Sequence, residues 1–302
     1  MKVSVCVTTF NEEGSIVRLI DSLIAQTKRP DEIIVVDGGS TDNTVQIIKK
    51  YKKIRVIVSR GASRTKGRNI AVRNSKNEVI VTTDAGCVAD INWLKRITIP
   101  FEDRSVDMVA GFYKMNTETS FEKSLACFIG VIPSNFDENF LPSTRSMAFR
   151  KSLWKSVGGF SENLEGAIDD TDFNYKISKY GAKIVRVKNA VVEWGIPDNL
   201  FDALKKFYGY AKGDAESKVF WNPAKGFKSH NIKVILIFLR YLVGLGLLIL
   251  ALLGYISFLY CLVALMLYSL WAYRKGGAWG IILQFSSDIA VMLGFVSGIL
   301  NL

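Results

Sequence analysis

The sequence predicts an α/β domain on a mainly parallel sheet, followed by a strongly apolar helical region. Three observations predict it. Short apolar strands at Val3–Val7, Ile33–Val36 and Val79–Thr83 each run into a polar loop: Thr8-Thr9-Phe10-Asn11, Asp37-Gly38-Gly39-Ser40 and Asp84-Ala85-Gly86. Segments of helical periodicity separate these strands, which makes consecutive strands parallel. From Val234 to Tyr273 the chain is almost continuously apolar, broken mainly by Arg240 and the glycines Gly244, Gly246 and Gly254. Open parallel sheets bind ligands at the carboxyl ends of their strands, so the three polar loops are expected to line one crevice.

The elements follow in order. Ile16, Leu19, Ile20, Leu23 and Ile24 recur at helical spacing, which predicts an amphipathic helix over 12–25. Pro30 stops the chain before the second strand; Val45 and Ile48 mark a helix and Ile54–Val58 a strand. Gly61-Ala62-Ser63-Arg64-Thr65-Lys66-Gly67-Arg68-Asn69 reads as a basic loop running into a helix around Ile70–Arg73. Small residues let backbone amides approach a phosphate, and cations at a helix start favour an anion. By charge alone, a solvated basic helix start fits equally well. A strand over Ala190–Trp194 ends in Glu193-Trp194. Beyond it Leu200, Leu204, Phe207, Tyr208 and Ala211 share one face, with Lys205, Lys206 and Lys212 off it, which predicts an interfacial helix.

The apolar run is too long for one membrane span, which needs about 20 residues. Two helices, about 233–252 and 255–273, are expected to turn tightly near Gly254. Lys225, Lys228 and Lys233 before them and Arg274-Lys275 after them put both ends at the cytoplasmic face. Trp279–Leu302, interrupted by Gln284, Ser286, Ser287 and Asp288, either lies at the interface and dips into the bilayer or spans it. Charges in apolar segments are expensive; Arg240 can snorkel to the surface or pair with Asp288 or a lipid phosphate. A buried hydrophobic subdomain is the alternative, but long apolar runs favour lipid.

Composition narrows the function. The chain has 302 residues, enough for a sizeable core, and a net charge of +11. Cys6, Cys87, Cys127 and Cys261 are scattered and His230 is the single histidine, which argues against a zinc site and fits a reducing compartment. The basic excess is spread out without a recognition motif, which argues against nucleic acid and leaves an anionic membrane surface or phosphorylated substrates. Met1–Val7 feeds straight into a strand, so no signal peptide is expected.

Val3-Ser4-Val5-Cys6-Val7-Thr8-Thr9-Phe10-Asn11-Glu12, then Gln26-Thr27, then Asp31 through Thr44 with its Asp37-Gly38-Gly39-Ser40 turn, resemble the opening of family-2 inverting glycosyltransferases of the GT-A fold. The resemblance covers roughly 1–195. It implies a Rossmann-like GT-A catalytic domain over 1–197, while the amphipathic and apolar patterns place interfacial helices over 198–230 and a transmembrane region of two or three helices over 231–302. It also implies a nucleotide diphosphate sugar donor, GDP-mannose or UDP-glucose. Thr8 and Phe10 would line the base pocket, with Asn11 and Glu12 among the donor-binding residues. Arg68 and Asn69 would contact the nucleotide. Arg145, in the acceptor-side segment Ser143–Arg150 that precedes Val157-Gly158-Gly159-Phe160, would meet the donor diphosphate or an acceptor phosphate. Asp37 would accept hydrogen bonds from base or ribose; an Asx-turn or helix cap is its plain alternative.

A departing diphosphate needs its charge neutralised, and a divalent cation, Mg2+ or Mn2+, held by one or two carboxylates is the usual means. The family signature is Asp-Xaa-Asp, but this chain reads Asp84-Ala85-Gly86-Cys87, leaving Asp84 as metal ligand and Glu193 as candidate second ligand where relatives offer a histidine. The family motif Glu-Asp-Xaa-Asp/Glu aligns Asp170 with the catalytic base, Asp169 with the acid before it and Asp172 with the residue two beyond. An acidic first turn of a surface helix is the alternative. Such a base suits a hydroxyl acceptor, because a polyprenyl phosphate is already ionised. The Gln-Xaa-Xaa-Arg-Trp run of processive synthases is absent. The expected protein is therefore a membrane-bound, non-processive, metal-dependent transferase that moves mannose or glucose to a hydroxyl of a lipid-linked, polyprenyl-type glycan. The alternatives are a polyprenyl-phosphate glycosyl synthase and a non-catalytic nucleotide-sugar-binding membrane scaffold.

Overall fold

The computed structural model describes residues 1–130, 136–138, 140–162, 169–216 and 230–300, with Asp169 and His230 through their backbone alone. The chain divides into two compact units. The first draws on Met1–Asn116, Val131–Glu165 and Asp169–Gly195, the second on Thr117–Gly130 and Ile196–Leu302.

The first unit is built on an eight-stranded sheet: β1 (Val3–Thr9), β2 (Glu32–Asp37), β3 (Ile54–Val58), β4 (Val79–Asp84), β5 (Cys87–Ala89), β6 (Met108–Asn116), β7 (Met147–Arg150) and β8 (Ile184–Gly195), in the order β3-β2-β1-β4-β7-β6-β8-β5. β1, β2, β3 and β4 pair in parallel, while β7 runs antiparallel to both β4 and β6. β1, β2 and β4 are buried almost throughout, as expected of strands covered on both faces.

Among the helices, α1 (Ile16–Ile24) buries Ile16, Leu19, Ile20 and Leu23 of the stripe read from the sequence and leaves Ile24 exposed. It starts four residues later than expected because Asn11 takes φ 53° and Ser15 and Ile16 turn back onto the Glu12 carbonyl. α2 (Thr44–Lys49) is short. α3 (Arg64–Asn74) starts earlier than expected, because the Ser63 hydroxyl caps it by accepting from the Lys66 amide. Arg68 and Asn69 therefore lie inside a helix rather than in a phosphate-cradling loop. Further on come α4 (Trp93–Thr98), α5 (Ser120–Ile129), α6 (Lys151–Ser156) and α7 (Asp169–Tyr180). Phe149 of β7, Phe160 and Phe173 of α7 stack in the core, the last two with centroids 4.1 Å apart, which fixes α7 against the sheet.

In the second unit α5 joins α8 (Leu200–Glu216), α9 (His230–Leu252) and α10 (Phe258–Leu300). Gly254, at φ 80°, makes the expected turn after α9, and α10 is broken at Gly276 and Gly277, the latter at φ 63°. Among the described residues two helices, Asn231–Leu252 and Phe258–Leu300, are long and apolar enough to cross a membrane, with mean hydropathy 2.6 and 1.6 over their most apolar 18-residue stretches.

The apolar face of α8, with buried Ala203, Phe207, Ala211 and Ala215, packs on Leu283, Ala290 and Phe295, so protein rather than lipid covers it. The approach is close: a Cβ on Gly294 or Gly298 would collide with the carbonyls of Tyr208 and Lys212. The segment after Gly277 stays helical through its polar interruption, because Gln284, Ser287 and Asp288 all turn inward. Residues 217–229 of the expected interfacial region, Lys225 and Lys228 included, lie outside the described residues.

Candidate active site

Strand register builds the site. β1 places Thr9 beside Asp37 of β2 and Thr8 beside Asp84 of β4, so three parallel strands end in one row, as the sequence implied. Gly67 lets α3 close over that row: a Cβ there would stand 3.0 Å from Thr8 Cγ2. Gly38 likewise brings the second loop against the Ala62 carbonyl and the Phe10 ring.

Asp37 is wholly buried, and its neighbours use its carboxylate. Oδ1 accepts from the Gly39 and Ser40 amides at 2.9 and 2.8 Å, and Oδ2 from the Ser40 hydroxyl at 2.5 Å. The Ser40 hydroxyl also accepts from the Asn11 amide at 2.8 Å, and the Asn11 side chain accepts from the Thr41 amide at 2.9 Å. The Glu12 amide donates to Thr44 Oγ1 at 2.7 Å, and its carboxylate accepts from the Ser15 hydroxyl. Asp37 thus closes its own turn by Asx-type bonding, while Asn11 and Glu12 tie the first loop to the second and to the start of α1. Phe10 is 58 % exposed, its ring face open at the mouth.

Asp84 anchors the centre. Arg68, with only 4 % of its side chain exposed, donates from Nη2 to Asp84 Oδ1 at 2.9 Å. Burial by itself raises the Asp84 carboxyl, but Arg68, then Arg145 and Arg64, outweigh it and hold the group below its ordinary value. Arg145 lies 3.9 Å over the Trp194 ring and 5.1 Å from that of Tyr113, and donates to Ser143 Oγ at 3.2 Å. Ser143 donates in turn to Asp170 Oδ2 at 2.9 Å, joined by the Thr144 amide at 3.2 Å. One bonded path therefore runs from Asp170 through Ser143 to Arg145, whose charge reaches Asp84.

Other expected residues point elsewhere. Asn69, 3 % exposed, spends its amide on the 154–162 segment: Nδ2 donates to the Phe160 carbonyl and to Glu162, and Oδ1 accepts from Trp154 Nε1 and the Phe160 amide. A cleft of about 410 Å3 lies beside it, lined by Arg73, Trp154, Gly159 and Lys176. Asp172 pairs with Lys176 at 3.1 Å, and Lys176 also reaches the Gly159 carbonyl, so Asp172 braces α7. The Asp169 side chain lies outside the described residues. Glu193 does not join Asp84. Neighbouring residues on a strand face opposite sides; Trp194 faces Arg145, and Glu193 turns to Lys114 on β6 at 2.7 Å.

Among the described residues no group of three His, Cys, Asp or Glu side chains is arranged to hold a metal alone. Asp84 remains as one carboxylate at the strand end, which suits a divalent cation completed by phosphate oxygens and water. Sequence reasoning passed over Trp194, Tyr113 and Ser143, which cradle Arg145. The aromatic next to Glu193 at a strand end was the available signal.

The comparisons with known proteins follow the same geometry. The family model described as "Glycosyl transferase family 2" matches residues 4–160, and that described as "Glycosyl transferase family group 2" matches residues 87–273. The O-antigen chain rhamnosyltransferase RfbN of Salmonella typhimurium is 25 % identical over 207 residues, 64 % of this chain and 66 % of that protein. The poly(ribitol-phosphate) beta-N-acetylglucosaminyltransferase TarS of Staphylococcus aureus is 36 % identical over 92 residues, 28 % of this chain and 16 % of its own length. The chain thus spans less than two-thirds of either curated relative. The mannosyltransferase PcManGT of Pyrobaculum calidifontis, solved in complex with GDP-Man and Mn2+, superposes with a TM-score of 0.74 at 17 % identity, covering 99 % of this chain and 87 % of that one.

Proposed function

Because this chain belongs to glycosyl transferase family 2, we propose that it transfers a hexose, mannose or glucose, from a nucleotide diphosphate sugar to a hydroxyl of a lipid-linked glycan, with inversion. The observation that carries this reading is the meeting of Asp84, Arg68, Arg145 and Asp170 at one strand-end crevice. The donor diphosphate lies against Arg68 and Arg145, and the base stacks on the Phe10 ring. Asp84 would hold a divalent cation, Mg2+ or Mn2+, which would supply charge neutralisation to the departing diphosphate. PcManGT, bound to GDP-Man and Mn2+, supports both choices.

Asp170 is the general base. The acceptor oxygen attacks the anomeric carbon in line, the bond from that carbon to the diphosphate oxygen breaks, and the acceptor proton passes to Asp170. Ser143 and the Thr144 amide fix the carboxylate, and the Trp194–Arg145 stack keeps the guanidinium aimed while the donor is absent. α9 and α10 anchor the chain in the membrane, with basic flanks at the cytoplasmic face and the catalytic unit in the cytoplasm.

The test is nucleoside diphosphate release by the detergent-purified protein, using GDP-mannose, UDP-glucose and UDP-GlcNAc with Mg2+ or Mn2+ and native lipid extract. Release from one donor should need the cation and fall about 10²–10⁴-fold in Asp170→Asn. Release that Asp170→Asn leaves intact would remove the base. Donor binding with no turnover under any condition would favour a non-catalytic scaffold.

A further inference from the structure

The second unit holds a charged cluster that the transfer reaction does not use. Asp288, 2 % exposed, collects four donors: Arg240 Nη2 at 2.6 Å, Tyr241 Oη at 3.1 Å and Tyr268 Oη at 2.5 Å on Oδ2, and Gln284 Nε2 at 2.9 Å on Oδ1. That carboxylate is saturated, but the cations around it are not. Arg240 keeps 37 % of its side chain exposed, and its Nε–H finds no acceptor among the described residues. Lys275 rests its ammonium 3.5 Å from the centre of the Phe128 ring, with no carboxylate in ion-pair contact among the described residues. Lys275 nevertheless lies within electrostatic reach of Asp288, Arg240 and Lys233. Two cations, Arg240 and Lys275, thus stand near one anion, with Lys233 within electrostatic reach of Lys275.

Helix geometry brings Arg240 and Lys275 to one depth, with Lys233 nearer the start of its helix. Arg240 is seven residues into the helix from Lys233, about 10 Å along the axis. Helical side chains lean toward their own N-terminus. Arg240, on a helix entering the apolar layer, leans back toward its basic flank. Lys275, on the antiparallel helix leaving that layer, leans inward. Their head groups converge in a band beside Tyr268 and Trp271, whose rings stack at 5.7 Å. Unbalanced cations at an apolar boundary, with aromatic walls and exposed leucines such as Leu236 and Leu239 alongside, fit an amphiphilic anion.

We propose that Arg240, Lys275 and Lys233 form a binding site for the diphosphate headgroup of an isoprenoid-type lipid, which holds the carrier of the acceptor glycan. This site rests on the lipid-linked acceptor and membrane readings above. It predicts opposite effects at the two ends of the ion pair. Removing Arg240 weakens the site, whereas removing the competing Asp288 charge does not.

The experiment titrates the full detergent-solubilised chain with farnesyl diphosphate, following tryptophan fluorescence, alongside inorganic pyrophosphate and micelles doped with phosphatidylglycerol. Farnesyl diphosphate should bind saturably, at least about tenfold tighter than pyrophosphate. Arg240→Gln with Lys275→Gln should weaken it by at least about tenfold, Arg240→Lys by less, and Asp288→Asn should tighten or preserve it. Equal loss in Arg240→Gln and Asp288→Asn would make the pair a structural brace and overturn the site. Equal affinity for pyrophosphate, or displacement by phosphatidylglycerol, would overturn the lipid diphosphate as occupant. Titration with donor nucleotide on the same samples separates the two readings. Donor binding without farnesyl diphosphate binding fells this site alone. Farnesyl diphosphate binding that follows the predicted variants supports the site even where no donor binds.

Discussion

Replacing Asn69 by alanine separates a donor ligand from a structural tie. The resemblance to the family assigns Asn69 to the nucleotide, whereas the structure spends its amide on four bonds to the 154–162 segment. Truncation leaves the Trp154 indole N–H, the Phe160 amide and the Phe160 carbonyl without partners, while the exposed Glu162 carboxylate turns to water. Each stranded buried group costs about 1–3 kcal/mol. The adjoining cleft admits water to part of this set, which puts the net loss near the low end, about 3 kcal/mol. For a unit of this size that lowers Tm by about 6–12 °C. Thermal unfolding followed by tryptophan fluorescence reads the loss, and donor titration reads the site. The expected result is a large fall in Tm with donor affinity nearly unchanged below the transition. A Tm within about 2 °C of the parent, with donor affinity down tenfold or more, would refute the argument and return Asn69 to the nucleotide.

Arg145→Ala should raise the donor KM by at least about tenfold, and Arg145→Lys should recover only part of it, because an ammonium cannot reproduce the flat stack on Trp194; full recovery by lysine would count against the stack. Burial pushes the Cys87 thiol up to about 12, with the Asp84 charge adding to it, and burial also raises Cys6. Native alkylation followed by mass spectrometry should therefore label the exposed Cys127 and spare both. The folded pKa of Asp84 is depressed, so its stabilising contribution is full above the unfolded value of about 3.9 and is lost only as pH falls through the lower folded value. Stability measured between pH 5 and 8 should show no inflection that Asp84→Asn removes. Gly294→Leu drives a side chain into the Tyr208 carbonyl and should cost at least about 1–3 kcal/mol, read as a lower Tm.

The sheet was legible because its evidence is local. Continuous β-branched runs give buried parallel strands, and the residue ending each run lands at the ligand edge, which is how Asp37 and Asp84 were placed. The hairpin at Gly254 followed from the length of the apolar run and one glycine. Side-chain partnerships were less legible. Nothing near Asn69 in the chain announces Trp154 or Phe160, and Glu193 looked like a metal ligand until strand alternation turned it to Lys114. The amphipathic pattern of α8 was read correctly as a pattern. Its partner was not, because an apolar stripe does not say whether lipid or Gly294 and Gly298 will cover it.

Gly86, standing where the metal signature has its second carboxylate, has a counterpart in the arginines. A second carboxylate there would add negative charge beside Asp84 and call for a strongly coordinated cation. This chain sets two guanidiniums, Arg68 in contact and Arg145 nearby, against that single carboxylate. Before any donor arrives the two guanidiniums already stand beside Asp84, held by the Trp194 stack and the burial of the Arg68 side chain rather than by solvent. Such preorganised charge needs no rearrangement when the diphosphate departs. On the proposed reading a divalent cation would share the neutralisation of the departing diphosphate, with a single carboxylate, Asp84, as its protein ligand. Metal affinity without donor should accordingly be low and should rise once a nucleoside diphosphate supplies the missing oxygens.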